Sequence, residues 1–322
     1  MIFSKKKCLL LFLAGFIFLS ITSIQNQIIP LAYADPYPDS IERPIDFTIR
    51  TTILDMGKIE FTTGHFEVTF WITIQTDDID LTQYHAPIID FVNGQINSVE
   101  FETVTEDTYY AKINGEFFTN MEFRDYPLTH LDLPIIMESA HHEIDDIVFH
   151  LAETSSSPIE NFAVPGLILE YQEYNVINYQ YPDGEVYSRF SANLGFNTPF
   201  VSTFMVGIFP IIIMAGVVVL SFFLNPLSID IRGEISIGVL IAGIFFHILE
   251  VGDSLPPLEY MTLEDKLMTV LYALVITSLV ALAIQRKFNK EEDDEKAERL
   301  NKKIRYALPI IIVGTFLAVW QL

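Results

Sequence analysis

An aspartate and a glutamate four residues apart, Asp230 and Glu234, stand at the head of an apolar run that continues to about residue 251. That spacing puts both carboxylates on one face of a helix. At a period of about 3.6 residues the same stripe takes in Gly238, Ile241, Phe245 and Ile248. A charged group facing lipid is costly, so these acids must face water. They could equally cap a helix N-terminus, where a carboxylate meets the positive end of the helix dipole. The sequence admits both. Arg232 lies between them and projects from another face, either as a basic anchor or simply turned away from the stripe. His247 falls toward a neighbouring helix, and Glu250 and Asp253 follow as solvated ends or as a cation-attracting rim.

Two further groups of side chains could do chemistry. His141, His142 and Glu143 with Asp145 and Asp146 are side-chain types that hold calcium or another divalent ion. The alternative is an acidic, solvated loop. Tyr179, Tyr181 and Tyr187 flank the turn Pro182-Asp183-Gly184, and aromatic faces hold ammonium groups by cation–π attraction. Tyrosine is also an ordinary strand residue. No Ser-His-Asp arrangement, CxxC pair or glycine-rich phosphate loop is legible, which argues against an enzyme and against catalytic residues. No cofactor is expected beyond a divalent modulator of the 141–146 segment.

The formal charge of -23 is concentrated between Asp35 and Arg189, where 29 acids face 6 bases. Such a field repels nucleic acid and gathers cations and protons. Half of the 322 residues are hydrophobic, and the mean hydropathy of +0.34 is high for a soluble protein. The apolar residues are unevenly spread. Lys5-Lys6-Lys7, the apolar residues from Cys8 to Ser20, and Ala32-Tyr33-Ala34 before Asp35 have the pattern of a secretory signal peptide over 1–34, or of an uncleaved anchor helix. Cys8 is the only cysteine, so a processed chain has no disulfide.

Four later runs, about 200–224, 233–251, 264–285 and 305–321, approach the ~20 residues that span hydrocarbon. Between the third and fourth, Gln285 to Arg305 holds eight Lys and Arg residues, while Glu250 to Asp265 is acidic and contains Pro256-Pro257. The positive-inside rule makes the basic stretch a cytoplasmic loop at about 286–304 and places both the acidic link and the C-terminus outside. Between Ile45 and Phe196 the chain instead alternates with period two, as in 47–53 and 65–74, broken by turn signals at Asn93-Gly94, Asn114-Gly115 and Asp183-Gly184. The expected fold is an all-β extracellular sandwich over 35–197 followed by an all-α, four-helix transmembrane domain over 198–322.

Three segments resemble one family. Ile45 to Asp78 looks like a first strand, an acidic turn at Asp55-Met56-Gly57 and a Phe-Glu-Val strand. Glu122-Phe123-Arg124-Asp125-Tyr126-Pro127-Leu128 resembles a signature loop. The run from Phe222 through Arg232 to Leu255-Pro256 and Tyr260-Met261-Thr262 is similar to a pore helix and the loop after it. Together they resemble the prokaryotic, cysteine-less pentameric ligand-gated ion channels of the Cys-loop receptor superfamily.

The resemblance implies a homopentamer in a cell membrane, in contact with lipid and permeant cations and opened by a small-molecule or ionic agonist. It implies selectivity rings at Asp230 and Glu234, and a gate at Ile241, Phe245 and Ile248 that closes by dewetting. Ligand candidates are His141, His142, Tyr179, Tyr181 and Tyr187, between subunits. Gating coupling falls to Asp55, Tyr126 and Pro127 against Pro256 and Pro257. Thr129 stands where the family has Asp, the usual Trp-x-Asp is missing around Gln75 to Asp78, and the Arg before the first span is matched by Arg189 or by no basic residue at Ala192. The alternative is a non-conducting membrane receptor on the same fold.

Overall fold

Alternating apolar and polar residues carry the chain into strands from Ile45 onward, because successive strand side chains point to opposite faces. In the computed structural model, strand β1 (Ile45–Glu60) buries Ile45, Phe47, Ile49 and Ile53 on one face. Strand β2 (His65–Gln75) does the same with Phe66, Val68, Phe70 and Ile72. The structure describes Tyr37 and residues 41–152, 163–225, 228–252, 255–290 and 294–320. The expected signal segment at 1–34 lies outside the described residues, as do Asp253 and the side chain of Glu250.

Nine strands form two sheets among the described residues. One has the order β4 (Gly94–Val104), β5 (Thr108–Phe118), β2, β1 and β7 (Ile147–Leu151), with β7 parallel to β1. The other has the order β3 (Ile89–Phe91), β6 (His130–Ser139), β9 (Val186–Asn197) and β8 (Ile168–Gln180). Aromatic rings fill the space between the layers. Phe91 of β3 lies 6.1 Å from Phe70 of β2 and 5.7 Å from Phe117 of β5, centroid to centroid. Buried Asn93 staples the layers together: its amide donates to the Phe118 and Pro134 carbonyls at 3.0 and 2.7 Å, and its oxygen accepts from the Ile136 amide at 2.9 Å.

Asn93 lies between β3 and β4, which Gly94 opens, and Asp183-Gly184 lies between β8 and β9, where Gly184 takes the positive φ of +103° that such a turn requires. Asn114-Gly115 does not turn. Both residues sit inside β5, paired to Thr69 and Val68 of β2, and Gly115 also pairs with Ile96 of β4. Asn114 Nδ2 donates to Thr69 Oγ1 at 3.0 Å. A Cβ on Gly115 would stand 2.8 Å from the Phe117 ring, so this glycine admits the ring rather than a bend.

The expected turn at Asp55 is also displaced. Strand β1 runs on past it through two irregularities, and Asp55 pairs with Thr69. A bulge accommodates the extra residue without ending the pairing. The chain reverses at 61–64, where Gly64 supplies a φ of +73° and its amide donates to the Glu60 carbonyl at 2.8 Å.

A single helical turn, α1 (Leu81–Tyr84), interrupts the strands. After β9 the chain becomes helical: α2 (Phe200–Thr203), a π-helical turn (Phe204–Ile208) and α3 (Phe209–Ser221) run on without a break. Helix α4 (Ile229–His247) continues into a second π-helical turn (Ile248–Gly252), and α5 (Leu263–Lys290) and α6 (Asp294–Trp320) follow. Two of these stretches, Phe200–Ser221 and Leu263–Phe288, are long and apolar enough to cross a membrane. The helices pack around Val218, Phe222, Val239, Met268, Leu271 and Leu308.

The basic stretch expected as a loop is helical up to Lys290 and again from Asp294. Its Lys, Arg, Glu and Ala residues are strong helix formers, and Glu295 pairs with Arg299 one turn on.

Candidate functional site

Helix α4 has two unlike faces. Arg232, Ser236, Val239 and Gly243 are buried against the other helices. Asp230, Glu234, Gly238, Ile241, Phe245 and Ile248, the stripe read from the sequence, are all exposed, Phe245 by 63%. Nothing among the described residues of the chain covers it.

The buried face is tied down by polar contacts. Arg232 donates to Gln285 Oε1 at 3.1 Å and to Asn301 Oδ1 at 2.9 Å, and its guanidinium lies 4.3 Å from the Phe222 ring centroid. Ser236 and Ser278 share a hydrogen bond of 2.9 Å. Arg232 therefore turns away from the exposed stripe and into the helices. At the other end of α4, His247 reaches α5, where Nε2 lies 2.8 Å from Asp265 Oδ1 and Nδ1 lies 3.3 Å from the Tyr272 hydroxyl.

The β domain meets the helices through three segments. The Leu263 and Glu264 amides donate to the Arg124 and Tyr126 carbonyls at 2.8 and 3.1 Å. The Tyr260 hydroxyl accepts from the Phe123 amide at 2.9 Å, and the Arg124 guanidinium lies 4.7 Å from the Tyr260 ring. Pro256 and Pro257 line a cavity of about 590 Å³ that they share with Phe61, Gly64, Phe123 and Tyr260. Tyr126 and Pro127 thus sit at this junction, whereas Asp55 is held in β1 and the 61–64 turn takes the place expected for it.

Two links here have no local sequence signal. Thr198 Oγ1 accepts from the Thr129 amide at 3.0 Å and donates to the Pro127 carbonyl at 3.2 Å, tying the loop to the start of the helices. Gly207 lies so close to Pro127 that a Cβ would stand 2.5 Å from its Cγ. Gly207→Ala is expected to cost about 1–3 kcal/mol of stability through overpacking. Thermal unfolding in detergent measures it, with Gly216→Ala as the control because a Cβ there meets nothing within 4 Å.

The β8–β9 hairpin gathers the tyrosines. Tyr179 pairs with Tyr187 across it, and the Tyr181 ring lies 5.0 Å from Tyr179 and 5.7 Å from Tyr187, both edge-on. Arg189 belongs here and not before the first helix: it lies in β9, its guanidinium against Tyr179 and its Nε bonded to buried Glu138. Ala192, the other position considered, is buried in the middle of the same strand. Burial, and then the Glu138 carboxylate, push the Tyr181 phenol above its usual range.

His141, His142, Glu143, Asp145 and Asp146 do not converge. Among the described residues no three His, Cys, Asp or Glu side chains are placed to share a metal ion. His141 is exposed and His142 buried, Glu143 Oε2 accepts from the Val186 amide at 3.4 Å, and Asp146 pairs with Arg43. Residues 144–146 form a turn that leads into β7.

A different histidine gathers acids. The ring nitrogens of His130 lie 2.8 Å from Asn197 Oδ1 and 3.1 Å from Asp132 Oδ1, with Glu170 Oε2 at 3.3 Å. Only the doubly protonated ring can donate to both sides. The Asn197 hydrogen bond, then the Asp132 and Glu170 carboxylates, raise its pKa above the usual histidine value. With the folded value above the unfolded one of about 6.5, this stabilisation is full below that pH and fades as pH rises through the folded value. All three ionisable side chains are exposed, so the effect is small. Melting temperature should fall between about pH 6 and 8 more steeply in the wild type than in His130→Gln, the other histidines cancelling in the comparison.

The described residues thus form a two-sheet β domain followed by helices, two of them long and apolar enough to cross a membrane. No family model matches it, and no curated protein matches it.

Proposed function

We propose that the chain is one subunit of a homopentameric, cation-selective channel of the pentameric ligand-gated class. In this reading the helices make four crossings of a cell membrane, with the β domain and the C-terminus outside and the basic α5–α6 stretch inside. Helix α4 lines the pore. Asp230 and Glu234 form acidic rings at its inner mouth, which attract cations and repel anions. Ile241, Phe245 and Ile248 form apolar rings above them, narrow enough to close by expelling water.

The supporting observation is the division of α4 into a buried polar anchor and an exposed stripe of two acids followed by apolar residues. A stripe of that composition is unsuited to lipid at its charged end. Other copies of the chain, arranged around an axis, give it water to face. The contacts among 61–64, 122–128 and 256–264 supply a route by which movement of the β domain tilts α4. A ligand acts through them only by binding the open and closed states unequally.

The test is electrical. Purified protein in liposomes should conduct, with a reversal potential that follows cation substitution and ignores anion substitution. Silence at every pH, calcium concentration and amine tried would end the channel reading and favour a non-conducting receptor. Anion selectivity would overturn the acid rings alone.

A further inference from the structure

The β8–β9 hairpin closes over a cation that belongs to the chain itself. The Arg189 guanidinium carbon lies 3.4 Å from the Tyr179 ring centroid and 5.7 Å from that of Tyr181. Its Nη2 donates to the Tyr181 hydroxyl at 3.1 Å and its Nε to Glu138 Oε1. The Tyr181 hydroxyl in turn donates to Glu138 Oε2 at 2.9 Å. Arg189 and Glu138 keep only 12% and 4% of their side-chain exposure.

Aromatic faces over a buried carboxylate make a receptor for a small organic cation. The rings contribute cation–π attraction and the carboxylate the counter-charge. A planar guanidinium suits it better than an ammonium, because it stacks on one ring while separate N–H groups reach the acid and the Tyr181 hydroxyl. Removing the cation leaves Glu138 buried without a counter-ion, which is strongly unfavourable. The present occupant is carried on the same hairpin as the two tyrosines, so its effective concentration is at least millimolar. A free ligand of similar intrinsic affinity competes poorly with it.

We propose that Arg189 is a tethered competitor filling the cage of Tyr179, Tyr181 and Glu138, so that this site excludes free alkylammonium and guanidinium compounds until Arg189 is withdrawn. Arg189 thereby sets the ligand class at a place where the tyrosines alone would suggest an amine. The inference concerns binding within one chain and stands whether or not the protein conducts.

The probe is methylguanidinium, added to the full-length protein in detergent and followed by calorimetry and thermal unfolding. Wild type should show no saturable heat and no rise in melting temperature at millimolar probe. Arg189→Ala should melt lower, bind the probe saturably and recover at least half of the lost melting temperature. Urea at the same concentration should do nothing. Arg189→Ala combined with Glu138→Gln should lose the response, because the cage has lost its charge. Should Arg189→Ala not fold, Arg189→Lys serves in its place: it keeps a counter-charge for Glu138 but gives up planar stacking, and should gain weaker yet saturable binding. Saturable binding to wild type would overturn the proposal. So would a folded Ala or Lys variant that binds no better than wild type, or equal recovery with urea.

Discussion

Replacing both acids of the exposed stripe, Asp230→Asn with Glu234→Gln, is expected to bring the reversal potential in a tenfold salt gradient close to zero. A tenfold concentration ratio is worth about 1.4 kcal/mol, and one charge crossing 100 mV about 2.3 kcal/mol. An ideally cation-selective pore therefore reverses at about 60 mV in that gradient. Discrimination rests on the field of the carboxylates, and the amides keep their size without their charge. Glu234→Gln alone should do more than Asp230→Asn alone. Glu234 sits one turn further along α4, and charges away from bulk solution are less screened by salt. An unchanged reversal potential would mean that Asp230 serves the positive end of the helix dipole and that Glu234 is a solvated surface charge. Loss of Asp230, the acid in the first turn, would then appear as about 0.3–1 kcal/mol of helix stability, so its two readings separate on a single pair of measurements.

Arg232→Ala is expected to have the largest effect on folding. The guanidinium is fully buried and joins three helical segments: α4, which carries it, Gln285 on α5 and Asn301 on α6, with the Phe222 ring beneath. Truncation removes hydrogen bonds from buried polar groups at about 1–3 kcal/mol each, so a loss of roughly 3 kcal/mol is expected. For a chain of this size that lowers the melting temperature by several degrees. Arg232→Lys should recover little, because a single ammonium cannot span both amides as a planar fork does. The same change should weaken cation selectivity, since α4 then turns more freely and Glu234 no longer faces one direction. A melting temperature unchanged in Arg232→Ala would mean that the apolar contacts of α4 alone set its orientation.

The stripe on α4 was legible because helical periodicity is local: residues three and four apart share a face whatever the rest of the chain does. The same holds for the strands at 47–53 and 65–74, where alternation announces a buried side. Asn114-Gly115 and Asp55-Met56-Gly57 misled because residue type alone does not say whether a glycine bends the backbone or admits a neighbour. Gly115 makes room for Phe117, and Gly57 has Glu67 above it. At 141–146 residue type offered a run of acids and histidines, and sequence adjacency alone does not say which partners each one meets: Glu143 accepts from Val186 and Asp146 pairs with Arg43.

Charge and hydropathy along the chain thus determined an acidic, strand-forming part followed by apolar helices, and they determined which face of α4 carries its acids. Only the tertiary structure decided what each reactive side chain meets. Arg189 lies 51 residues from Glu138, and Arg232 lies 69 from Asn301. Such pairs form because sheets and helices pack in one register, and burial makes an unpaired charge costly. No local pattern encodes that register. The tyrosines of the hairpin were visible from the outset, but the arginine already among them was not.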